Sequence, residues 1–309
     1  MRWRPIWIGT NWRDALANAR IGLLICLLLP GWAAASVSVV DDSGQTITLA
    51  RPAQRIVSLA PHVTEMLYAV GAGSRLVGAV QYSDYPEAAK KLPRVGGYSQ
   101  FDLEAIVALH PDLIVGWQSG NAASQVERLK ELGIPLYLSE PRHLPDVAST
   151  MERLAILAGT AAEGETAARD FRRRLAKLQE TYSRRAPLTA FYEVWNRPLM
   201  TVNGEHLIGD VMKLCGAANV FAKLPALTPT IGEEAVLAAD PEVIVASGMN
   251  GERPQWLDEW KRWPRLQAVR QGNLYFVPPD LLHRPTPRIL DGAERLCAEM
   301  DEARRKRGR

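Results

Sequence analysis

The stretch Glu104-Ala-Ile-Val-Ala-Leu-His-Pro-Asp-Leu-Ile-Val115 returns in the second half of the chain as Glu234-Ala-Val-Leu-Ala-Ala-Asp-Pro-Glu-Val-Ile-Val245. Half of the positions are identical and most of the rest are similar. Each copy reads as a short helix, an X-Pro break and an apolar strand. One widely spaced repeat predicts two similar lobes, because a solenoid would show a short period repeated many times. Two lobes leave a cleft between them, and small ligands favour such clefts.

Working outward, strands and helices alternate. Arg55–Leu59, Leu76–Val80, Asp112–Trp117 and Pro135–Leu138 read as strands, with helices at Val63–Val70, Leu103–Leu109 and Ala123–Leu132, the last stopped by Gly133. Short apolar strands separated by helices predict an α/β fold with a parallel sheet. Asp146–Ala158 is helical in pattern. After Gly159-Thr160, the Pro-free run from Ala161 to about Arg184 places Ala168, Phe171, Leu175 and Leu178 on one face. We read it as one long helix, of about 35 Å at 1.5 Å per residue, crossing between the lobes. The strand pattern resumes at Leu188–Val194, then a helix at Leu207–Leu214, strands at Val243–Ala246 and Asn273–Val277, and a last helix from about Arg288 to Arg304. The predicted divisions are 1–35, a leader; 36–145, a first lobe; 146–186, a helical linker; and 187–309, a second lobe. A helical linker predicts limited closure on binding.

The leader reading rests on Arg2, Arg4, Arg13 and Arg20, an apolar run from Ile21 to Leu29, and a small-residue site at Ala33-Ala34-Ala35. The run is short of the ~20 residues that span a bilayer. Export to the periplasm with cleavage near Ala35 is expected. Cys26 follows Ile25, not a small residue, so no lipid anchor is expected. Cleavage would bring the net charge from +3 to zero, and the tail from Arg304 to Arg309 is basic, so the body is mildly acidic. That argues against nucleic acid as a partner. The tail itself reads as a frayed, solvated end. Cleavage also leaves two cysteines, Cys215 and Cys297, which an oxidising compartment permits to bridge; two separate buried thiols are the alternative.

Several segments together resemble a known family. Tyr82-Ser-Asp-Tyr-Pro86, Leu103-Glu104 with Ala108-Leu-His-Pro-Asp-Leu113, Trp117, Gly120-Asn-Ala122 with Gln125-Val126, and Thr286-Pro-Arg-Ile289 look like the helical-backbone metal-complex receptors, and among them those that carry vitamin B12. The family's periplasmic members serve ABC importers, and others take haem or ferric siderophores. The resemblance covers nearly all of the chain after the leader. It implies two Rossmann-like lobes with parallel sheets joined by one long helix, the class III periplasmic binding protein architecture. It also implies a corrinoid held edge-on in the cleft. Tyr82 and Trp117 match aromatic positions lining that cleft, Tyr98 stands where the family has Trp, and Asp280 and Arg284 match polar cleft residues. Glu104 and Glu234 match one exposed carboxylate per lobe that pairs with arginines of the permease. Cys215 and Cys297 match a disulfide pair. Where the family carries phenylalanines, this chain has Val194, Trp195 and Met200, and Leu227-Thr-Pro-Thr230 lacks a family Trp. The second lobe's wall is therefore remodelled, with Trp195 its expected aromatic contact.

The residues support these roles on their own terms. A ring buried against a flat apolar macrocycle removes on the order of 150–250 Å² from water. Trp117 ends a strand, where a switch-point crevice would meet a ligand; core packing is its plainer alternative. Tyr82 and Tyr85 flank a loop, and Tyr98 follows Gly96-Gly97, whose backbone allows close approach. Asp280 and Arg284 could hydrogen-bond corrinoid amides or form a surface ion pair. Glu104 and Glu234 each open a helix, where the dipole alone favours a carboxylate. His62 and His283 are candidates for metal ligation, but neither has a companion at ligand spacing, so no metal site and no cofactor are expected. No GxSxG, HExxH or P-loop is present, and Gly71-Ala-Gly73 lies on the wrong side of a helix for phosphate. The expected function is capture of a corrinoid, vitamin B12, and delivery to an inner-membrane ABC transporter permease by a monomer that is not an enzyme. A haem or ferric-siderophore receptor of the same fold is the alternative, and an exported enzyme the more distant one.

Overall fold

The computed structural model describes residues 2–3, 36–248 and 251–307. The expected leader, its cleavage site and Cys26 lie outside them, residues 2–3 apart.

An antiparallel hairpin of β1 (Val37–Val40) and β2 (Thr46–Leu49) comes first. The first lobe then runs β3 (Ile56–Ser58), α1 (Pro61–Ala69), β4 (Leu76–Ala79), α2 (Leu103–Ala108), β5 (Leu113–Trp117), α3 (Ala123–Glu131) and β6 (Leu136–Ser139). Helices α4 (Leu144–Ala158) and α5 (Ala161–Tyr182) follow. The second lobe runs β7 (Leu188–Glu193), β8 (Trp195–Asn196), β9 (Leu199–Met200), α6 (Leu207–Leu214), β10 (Ala217–Asn219), α7 (Glu233–Ala239), β11 (Val243–Ala246), α8 (Gln267–Arg270), β12 (Leu274–Phe276), α9 (Pro279–Leu282) and α10 (Ile289–Arg307).

Each lobe holds a four-stranded parallel sheet, ordered β4-β3-β5-β6 in the first and β10-β7-β11-β12 in the second. Counted by each lobe's own strands, both orders are second, first, third, fourth. The repeated segments are α2–β5 and α7–β11, the third strand of each sheet and the helix before it. Leu113 and Val115 in one copy, and Val243 and Val245 in the other, enter one shared core. Ile114 and Ile244 enter clusters on the opposite sheet faces. Strands buried on both faces must be apolar throughout, which is why the Ile-Val pair is kept in both copies. His110 and Asp240, just before the repeated prolines, take positive φ of 45° and 40°. The residue before Pro is barred from continuing the helix, and His and Asp tolerate the left-handed region better than most residues.

Helix α4 begins where Asp146 accepts from the N–H groups of Arg142 and His143, and ends at Gly159 with φ 68°. Helix α5, about 33 Å long at its 22 residues, packs along α4 and also meets α6 and α10. Arg172 pairs with Glu152 of α4, and Arg174 with Asp291 and Glu294 of α10. The shared core under these helices draws side chains from both lobes. At the other side of the junction Arg288 grips the buried Glu65 of α1 through two hydrogen bonds of 2.6 and 2.7 Å.

The basic tail is a correction to the frayed end expected from sequence. Helix α10 continues to Arg307, and Arg304 donates to the carbonyls of Ala186 and Cys215 at 2.7 and 2.6 Å. Lys306 donates to Gly272 O, and Arg307 pairs with Glu242. Arg304 thus satisfies a carbonyl at the α6 C-terminus, where a cation is favoured.

Cys215, at the end of α6, and Cys297, in α10, form a disulfide at a sequence separation of 82. Closing a loop of that length restricts the unfolded chain by about 4.5 kcal/mol in the chain-entropy model, and measured effects centre on about 2–4. The double variant Cys215→Ala/Cys297→Ala is expected to lose that much stability. A thermal scan should show a midpoint roughly 4–8 °C lower; an unchanged midpoint would mean the bridge constrains nothing.

Candidate functional site

In a doubly wound sheet the crevice opens beyond the carboxyl ends of the strands, where the order reverses. Here that places it beyond β3 and β5 in one lobe and beyond β7 and β11 in the other. A cleft of about 330 Å³ opens at these strand ends, lined by residues of both lobes.

Trp117, the last residue of β5, forms the first lobe's wall. Its pose is held from three sides. Asn121 Oδ1 accepts from the Trp117 N–H at 2.7 Å, while Nδ2 donates to Leu59 O and Tyr98 O at 3.0 and 2.7 Å. One buried amide thus ties the ends of β3 and β5 to the loop bearing Tyr98. His62 meets the indole edge-on at 5.3 Å between ring centres, and Tyr98 lies at 6.1 Å. Gly120 passes beneath the ring so closely that a Cβ there would fall 1.9 Å from Trp117 Cε3. Ser119 lines the rim and donates to Glu140 through its N–H and hydroxyl, both at 3.0 Å.

The second lobe's wall is largely apolar, built by Val194, Leu207, Ile208, Leu227 and Leu282, with Glu205, Thr228, His206 and His283 as its polar members. His206 caps α6, its Nδ1 accepting from the Ile208 N–H at 3.1 Å. His283 Nε2 lies 2.7 Å from Ser247 Oγ, at the end of β11, and 3.2 Å from the Tyr192 hydroxyl. Burial pushes both imidazoles down to about 4, so both are neutral at pH 7. Burial and the Arg284 charge push His62 to about 3. Among the described residues, no three His, Cys, Asp or Glu side chains converge as a metal site.

The other sequence-derived positions divide between the cavity and its surroundings. Arg284 bonds Asp84 at 2.9 Å and Asp280 at 3.0 Å, and reaches the Tyr82 carbonyl at 3.4 Å. Tyr82, Asp280 and Arg284 therefore form one cluster joining the lobes beside the cavity. The Tyr82 side chain is free for contact, since the residue is 69% exposed with φ 63°. Trp195 sits in the β8–β9 hairpin, 38% exposed, with its indole donating to Arg197 O. Its neighbour Val194 takes the cavity-facing place at that strand end. His206, Arg142 and Glu140 line the cleft and were missed from sequence; the only available signal was the helix-opening position of His206.

Glu104 and Glu234 hold the same place, the second residue of α2 and of α7, and both are exposed. Neither has an ion-pair partner among the described residues. Helix α2 is already capped by Asp102, which accepts from the Ala105 N–H at 2.9 Å.

One buried acid stands apart. Glu193, at the end of β7, is 2% exposed, and burial pushes it up to about 8 although the Trp260 indole donates to it at 2.8 Å. Its folded pKa is raised above the ordinary 4.5, so the fold holds a proton that the unfolded chain releases, and stability falls as pH rises from 4.5 to 8. Glu193→Gln keeps an acceptor for Trp260 and removes this titration. Urea unfolding should find it more stable than wild type at pH 8, by on the order of 1–3 kcal/mol. The gap should close towards pH 5, and equal stability at both pH values would show Glu193 ionised in the fold.

The model of the periplasmic binding protein family matches residues 56–281. The chain belongs to this family. It is 36% identical over 286 residues to the vitamin B12-binding protein of Vibrio parahaemolyticus, an alignment covering 92% of this chain and 98% of that one. Its structure is similar to that of the periplasmic vitamin B12 binding protein BtuF of Vibrio cholerae, with a TM-score of 0.75, 37% identity, and coverage of 82% of this chain and 98% of the other. The periplasmic heme-binding protein RhuT from Roseiflexus shares the fold, at TM-score 0.72 and 22% identity over 81% of this chain and 98% of that one. The family and these relatives are binding proteins, and the two parallel-sheet lobes are those of class III members.

Proposed function

We propose that this chain is a periplasmic receptor that captures a corrinoid, vitamin B12 or a close relative, in the interlobe cleft and delivers it to an inner-membrane ABC importer. The observation that carries the reading is the cleft at the paired switch points. One wall is a Trp117 fixed by Asn121 and Gly120, and the other is largely apolar with two neutral imidazoles. Identity of 36–37% with vitamin B12-binding proteins over most of the chain supports the same cargo. A macrocycle with an apolar face and amide-bearing edges suits such a cleft: the rings cover the face, and Tyr82, Tyr98, Asp280 and Arg284 at the mouth serve the edges. Trp195, on the hairpin next to Val194, would reach the cargo only at its margin.

Delivery would use Glu104 and Glu234. Both are exposed, unpaired among the described residues, and related by the repeat, so a two-subunit permease would meet one on each lobe. The disulfide suits an oxidising compartment, and residues 1–35 would act as a leader removed near Ala35. The receptor would work as a monomer, by reversible binding without chemistry.

Tryptophan fluorescence tests the cargo class. Cyanocobalamin should quench emission saturably at one equivalent, while hemin and a ferric hydroxamate should not at the same concentration. Tight quenching by hemin alone would replace the corrinoid reading.

A further inference from the structure

Two imidazoles, those of His206 and His283, share the second lobe's wall. Each is tied to the protein through one nitrogen. The Nδ1 of His206 accepts from the Ile208 N–H, so its lone pair is in use. In the neutral ring the hydrogen must then sit on Nε2, which has no partner among the described residues.

His283 is fixed by counting hydrogens. Its Nε2 faces Ser247 Oγ and the Tyr192 hydroxyl, and those two hydroxyls also touch each other. Ser247 and Tyr192 are buried, and no other acceptor reaches either hydroxyl among the described residues. Burial raises the Tyr192 pKa, so the phenol keeps its proton. Tyr192 donating to Ser247, and Ser247 to Nε2, satisfies both hydrogens. A hydrogen on Nε2 would leave one hydroxyl buried without an acceptor, which native structures avoid. Nε2 therefore holds the lone pair, and Nδ1 carries the hydrogen.

We infer that His206 Nε2–H and His283 Nδ1–H are paired hydrogen-bond donors to carbonyl oxygens of the cargo, and that these rings offer no lone pair to its metal. Metal-ligating histidines have the reverse arrangement to His206, donating one ring N–H to the protein and turning the bare nitrogen to the metal. His62, the third imidazole nearby, is buried against Trp117 and does not line the cavity. The cleft would thus select a complex whose metal is already coordinated and whose rim carries amide carbonyls. It would gain nothing from a metal that needs an axial ligand from the protein. The cargo part of this inference rests on the corrinoid reading above; the tautomers belong to the empty protein.

Two experiments test it. Long-range ¹H–¹⁵N spectra of the ligand-free protein at pH 7 should show His206 as the Nε2–H tautomer and His283 as the Nδ1–H tautomer. The opposite tautomer at either ring would overturn the assignment, whatever the cargo. Aquacobalamin, whose axial water a nitrogen lone pair can displace, is the second probe. Its visible spectrum should not change on binding, and His206→Asn, which keeps a helix cap, should weaken aquacobalamin and cyanocobalamin alike by about tenfold. A nitrogen-ligated spectrum with wild type, lost in His206→Asn or His283→Phe, would overturn the proposal. If neither corrinoid bound wild type, the functional reading would fall, and the tautomer spectra would still decide the chemistry of the wall.

Discussion

Replacing Glu104 and Glu234 together by lysine should abolish transport while leaving ligand affinity within about twofold. The two carboxylates sit at corresponding places on α2 and α7 and pair with nothing else among the described residues. They are exposed, so reversing them disturbs little within the fold; surface changes of this kind usually stay within about 0.5 kcal/mol. At a docking surface the same change sets like charges against each other and costs several kcal/mol. Each single reversal should give an intermediate defect, because one lobe would still engage. The check is ligand uptake by proteoliposomes holding the cognate importer, alongside a binding titration of the same variant. Normal uptake by the double variant would remove both residues from the docking role. Lost affinity would place them in the binding site instead.

The second large effect belongs to Trp117. Truncation to alanine should weaken corrinoid binding by about 100-fold, or roughly 2–3 kcal/mol, as for a buried aromatic at the centre of a contact. Gly120→Ala should reproduce most of that loss without touching the ligand, because its methyl group would occupy the space of the indole. Both variants should stay folded, since Trp117 is only partly buried and packs at the edge of the core. Trp195→Ala is the contrast: with the indole on the hairpin and Val194 at the cavity, its loss should cost under about threefold. Equal losses at Trp117 and Trp195 would mean that the cargo rests on the rim and not in the cleft.

The legible parts of the sequence were those where one physical constraint acts locally. Val243–Ala246 and Leu113–Trp117 must be apolar on both faces, so they stand out as unbroken runs. The repeat then announced two lobes, and the Pro-free run announced α5. Trp117 was legible because it ends such a run. The hairpin β1–β2, strand β10 and the short helix α9 carried no comparable run: β2 alternates exposed and buried residues, β10 reads Ala-Ala-Asn, and α9 is a single turn.

Much of the cleft was illegible for a different reason. Arg142, His206, Leu227 and His283 come from four loops or helix ends far apart in the chain; Leu227 and His283 stand out singly, His283 as a metal-ligand candidate, but no period or spacing shows that the four line one cleft. Arg284 reads from sequence as a polar cleft residue, while its ion pair with Asp84 joins residues 200 positions apart. The basic tail misled because composition reports charge but not the carbonyls waiting for Arg304 at the end of α6.

Isothermal titration of the protein from Ser36 onward with cyanocobalamin tests the central claim most directly. One saturable site with submicromolar affinity, weakened about 100-fold in Trp117→Ala, is the predicted result. No heat at several temperatures, with hemin or a ferric chelate binding instead, would contradict it and point to the remodelled wall around Val194 and Leu227 as the source of a different cargo.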